Sequence, residues 1–69
     1  MQELYKLHDE VPLIGRTPEE QEQIELILVE ASAWGLKWEV ETFAKKFLFD
    51  GETEDPVIAT IWAFEDWIK

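Results

Sequence analysis

Apolar residues return every three or four positions over most of the chain, and helix-starting or helix-ending residues fall in the gaps between runs. Leu4, Leu7 and Val11 predict a short helix over 2–10. Pro12 ends it, because proline disfavours helical geometry in the residue before it. Val11 to Arg16 then reads as an extended connector with Leu13 and Ile14 as apolar anchors. Thr17 opens a helix expected to reach about Trp34, since Thr17 and Glu20 form a capping-box pattern and Pro18 takes the first helical position. Gly35 is placed to stop that helix in a left-handed turn, with Leu36 folding back as the apolar contact of a Schellman ending. Val40, Phe43, Ala44, Phe47 and Leu48 predict a second helix over 36–49. Leu36 to Thr42 also alternates as a half-buried strand does, but the alternation breaks at Phe43 and a lone strand would have no partner. Asp50 to Asp55 is a loop, and Asp55 with Pro56 starts a last helix running to about 68. The expected architecture is an all-α, single-domain three-helix bundle with a short N-terminal arm over 1–16, helical and then extended.

On helical wheels these helices carry more apolar surface than a triangular bundle uses. The first has a broad stripe of Ile24, Ile27, Leu28, Ala31 and Trp34, and a second stripe of Leu26, Val29 and Ala33 on nearly the opposite side. The second helix uses Leu36, Val40, Phe43 and Phe47 and leaves Trp38 and Phe49 behind. The third uses Val57, Ile61, Phe64 and Ile68 and leaves Ile58 and Trp62 to one side. Either the arm, with Leu4, Tyr5, Leu7, Val11, Leu13 and Ile14, covers the second stripes, or part of the surplus is an interface with another protein or a second copy.

Size sharpens the question. A chain of 69 residues buries only about 60% of the surface its unfolded form exposes, and such a core rarely supplies more than ~3–5 kcal/mol net. Small domains compensate with disulfides, metal, dense packing or association. The absence of cysteine and the single histidine close the first route and nearly close the second, so no cofactor or metal is expected. Aromatic packing and self-association remain: aromatic residues are 13% of the chain, and each large ring can bury ~150–250 Å². Apolar runs are far shorter than the ~20 residues that span a bilayer, and the start Met1-Gln2-Glu3 lacks the pattern of a signal peptide. A soluble cytoplasmic protein is expected.

Charge excludes one class of partner. The net charge is −10, which argues against direct contact with nucleic acid or an anionic membrane through a basic face. The stretch 17–34 holds Glu19, Glu20, Glu22, Glu25 and Glu30 with no basic residue, and 50–55 holds Asp50, Glu52, Glu54 and Asp55. The acids of the first helix stabilise the positive end of its macrodipole and keep the chain in solution. Alternatively, spaced carboxylates imitate nucleic-acid phosphates and occupy the groove of a basic protein.

No cluster demands a particular chemistry. His8-Asp9-Glu10 joins an imidazole to carboxylates, but sequence neighbours on a helix do not face one another. Ser32, the only serine, has no base at a predictable distance, so no catalytic residues are assigned and the chain is read as a non-enzyme. In Asp50-Gly51-Glu52-Thr53-Glu54-Asp55 the glycine falls at the second position and Pro56 at the seventh, which is wrong for a calcium loop.

The stretch from Glu30 to Lys69, with its Trp34-Gly35-Leu36, Trp38-Glu39-Val40 and Asp55-Pro56 segments, resembles small acidic helical accessory proteins of tailed bacteriophages. That resemblance implies an inhibitor of a host enzyme or defence system acting in the host cytoplasm, or a small assembly factor. Together these features give an expected function: a non-enzymatic module that binds a protein with a basic surface. Its expected anchors are Leu26, Val29, Trp38, Ile58 and Trp62, rimmed by Glu19, Glu22, Glu25 and Glu30. The alternative is a homo-oligomeric structural or assembly protein whose apolar faces close a homodimer or larger ring.

Overall fold

Two of the three helices open on a local start signal. The computed structural model describes residues 11–68 and contains, among them, α1 (Pro18–Ala33), α2 (Lys37–Phe49) and α3 (Pro56–Ile68), each packed against the other two. The chain is an all-α three-helix bundle. The segment with two readings, Leu36 to Thr42, is the N-cap and first turns of α2. The helix expected over 2–10 lies outside the described residues, and 11–16 form an irregular connector.

Four of the six helix ends are fixed by a local device. The Glu20 N–H donates to Thr17 Oγ1 at 3.1 Å, and Pro18 stands first in α1. The capping box does not close on Thr17 as its pattern predicts. Glu20 Oε1 instead accepts from the Arg16 N–H at 2.9 Å, one residue earlier. At the other end Gly35, at φ +73°, permits the Schellman pair of Leu36 N–H to Ala31 O at 2.8 Å and Gly35 N–H to Ser32 O at 2.9 Å. A second Schellman turn ends α2: Gly51, at φ +78°, donates to Leu48 O, and Glu52 N–H donates to Phe47 O at 3.1 Å. Asp55 caps α3, its Oδ1 accepting from Val57 N–H at 2.9 Å and Ile58 N–H at 3.4 Å.

The core is small-residue rather than aromatic. Ala31, Val40, Ala44, Ala59 and Ala63 form the buried cluster, with Leu13, Leu28, Leu36, Phe43, Phe47, Leu48 and Phe64 packed around it. Thr60 is also buried, its hydroxyl donating to Pro56 O at 2.7 Å, so the burial leaves no orphan polar atom. Trp62 meets Phe47 edge-on with centroids 6.0 Å apart, and Trp67 meets Phe43 at 5.4 Å. Those pairs advance along α3 as they retreat along α2, so the two helices are antiparallel.

This core corrects three expectations. On α3 the inward face is Pro56, Val57, Ala59, Thr60 and Ala63, while Ile61 and Ile68, expected inside, are exposed. On α1 the stripe loses Trp34, an exposed C-cap. In the connector Leu13 packs on the core but Ile14 does not. Dense aromatic packing is not the stabilising device either: each of the four tryptophans keeps at least 40% of its surface exposed.

The connector is seated at Gly15, whose N–H donates to Gln21 Oε1 at 2.7 Å. A Cβ there would fall on backbone atoms of Glu20 and Gln21. Backbone cannot yield as a flexible side chain can, so Gly15→Ala is expected to destabilise the bundle by about 1–3 kcal/mol, the usual range for overpacking. Urea unfolding checks this, and an unchanged midpoint would show that the connector is not seated on α1.

Candidate functional site

The nominated residues separate onto different sides of the bundle. On α1, Ile24 and Ala31 are buried and Leu26, Val29 and Ala33 lie opposite them. Leu26 and Val29 are 62% and 67% exposed. Glu19, Glu22, Glu25 and Glu30 are all exposed and flank this pair on the same outward arc. The sequence periodicity thus places six of the nine nominated residues together. Pro18–Ala33 contains no basic residue, so none of these carboxylates is paired with a cation of its own helix. Glu25 accepts instead from Gln21 Nε2 at 3.0 Å.

Ile58 and Trp62 are exposed on the outward side of α3. Three helices packed around one core turn their outward faces apart, so this pair does not join the α1 group. Trp62 also has a packing role through its contact with Phe47, and its removal takes away core contact as well as surface. Trp38 lies on a third side. Between it and the exposed Phe49 on the outward face of α2, Thr42 and Lys45 are buried, so that face is not a continuous open surface.

Beside the α1 group lies a shallow depression of about 240 Å³ lined by Glu25, Leu28, Val29, Ser32 and Lys37. It is the place where an apolar side chain, an acid and a base meet at the junction of α1 and α2. Ser32 is exposed there. The pattern His8-Asp9-Glu10 lies outside the described residues. Two of the four carboxylates of 50–55 are engaged in structure: Asp55 in the α3 cap and Asp50 with Lys46 Nζ at 3.4 Å. Among the described residues no group of three His, Cys, Asp or Glu could hold a metal ion, and no helix is long and apolar enough to cross a membrane.

Arg16 is an electrostatic junction that no sequence motif announced. Its Nε lies 3.1 Å from Glu20 Oε1 in the first turn of α1, and its Nη2 lies 3.2 Å from Asp55 Oδ2 at the cap of α3. One guanidinium thus ties two helix starts together. Hydrogen bonding to Arg16 holds the Glu20 carboxyl below its ordinary value, and the same pairing holds the guanidinium above its own. The only advance signal was an arginine beside a helix start in a chain poor in cations.

In comparisons with known proteins, no family model, no curated protein and no solved structure matches this chain.

The depressed Glu20 pKa fixes the sign of a pH effect. Its contribution to stability is present above the unfolded carboxylate value of about 4.3 and is lost as pH falls through the lower folded value. Arg16→Gln is therefore expected to lower the melting temperature at neutral pH, with the gap closing below about pH 4. Thermal melts followed by circular dichroism test this; a gap that persists to low pH would make Arg16 a packing residue instead.

Proposed function

We propose that this chain is a non-enzymatic, acidic protein-binding module, an inhibitor or modulator of the kind that tailed phages direct at host proteins. The observation that carries the reading is the Leu26–Val29 pair, exposed inside a flank of four carboxylates with no basic residue on the same helix. An apolar centre supplies binding energy once a partner removes it from water, about 25 cal/mol per Å² before association costs are met. The carboxylates supply steering and exclude acidic surfaces. From Glu19 to Glu30 the charges extend over about 16 Å of helix, several nucleotide steps of phosphate. The partner is thus a protein with a basic, nucleic-acid-binding type of groove, which includes defence proteins.

The second reading, a small homo-oligomeric structural or assembly protein, draws on a different feature, the exposed isoleucines of α3. The two readings use different faces, so variants separate them.

Leu26 and Val29 contribute little to the core, so Leu26→Ser with Val29→Ser leaves the melting curve close to that of the parent. Captured host protein is expected to fall at least about 10-fold in that variant. The same capture weakens as salt rises from about 0.05 to 0.5 M, where the Debye length shortens to a few ångströms. Retention unaffected by both the substitutions and the salt would overturn the reading, whatever protein was retained.

A further inference from the structure

We draw no further inference here: the strongest candidate, the shallow depression at the junction of α1 and α2 lined by Glu25, Leu28, Val29, Ser32 and Lys37, belongs to the acid-flanked face already described, and nothing in the structure shows what fills it.

Discussion

Close approach of helices across small side chains governs this molecule. Ala44 on α2 and Ala59 and Ala63 on α3 occupy the contact, joined by Ala31 and Val40. Alanines let helix axes come near the short end of the usual 8–10 Å range, a spacing that leaves little room between helices for a tryptophan. The large side chains are therefore displaced to the flanks, where Trp62 and Trp67 lean on Phe47 and Phe43, or to the outside, where Leu26, Val29, Ile58 and Ile61 stand. An alanine core buries little area per residue, so much of the apolar surface that could stabilise the fold faces water instead.

Electrostatics orders the same molecule differently. Three of the four cations among the described residues are paired locally: Arg16 between Glu20 and Asp55, Lys45 beside Glu41, Lys46 beside Asp50. These pairs are mostly exposed and individually contribute little. Arg16 stands apart because it spans two helix starts distant in sequence, and so couples the connector, α1 and α3. Among the described residues, Glu19, Glu22, Glu25 and Glu30 of α1 have no such ion pair and stand on a face turned to solvent.

The two open faces thus have opposed physical character. On α1 an apolar pair sits within acids. On α3 an apolar stripe sits nearly free of charge.

Much of the fold was legible in local signals. Thr17-Pro18, Gly35-Leu36 and Asp55-Pro56 each act through hydrogen bonds within a few residues, so the sequence alone determined where α1 ends and where α1 and α3 begin. The same periodicity put Leu26, Val29 and the four glutamates on one side of α1, because a helix fixes which residues share a face. Which face turns inward was another matter. On α3, hydrophobicity pointed to Ile61 and Ile68, yet Ala59 and Ala63 are buried, because interhelical distance is set by three helices jointly and not by any one of them. The separation of Trp38, Leu26 and Trp62 onto different sides, and the meeting of Arg16 with Asp55, were likewise decided only by the tertiary structure. Both are relations between elements far apart in the chain, and no local spacing encodes them.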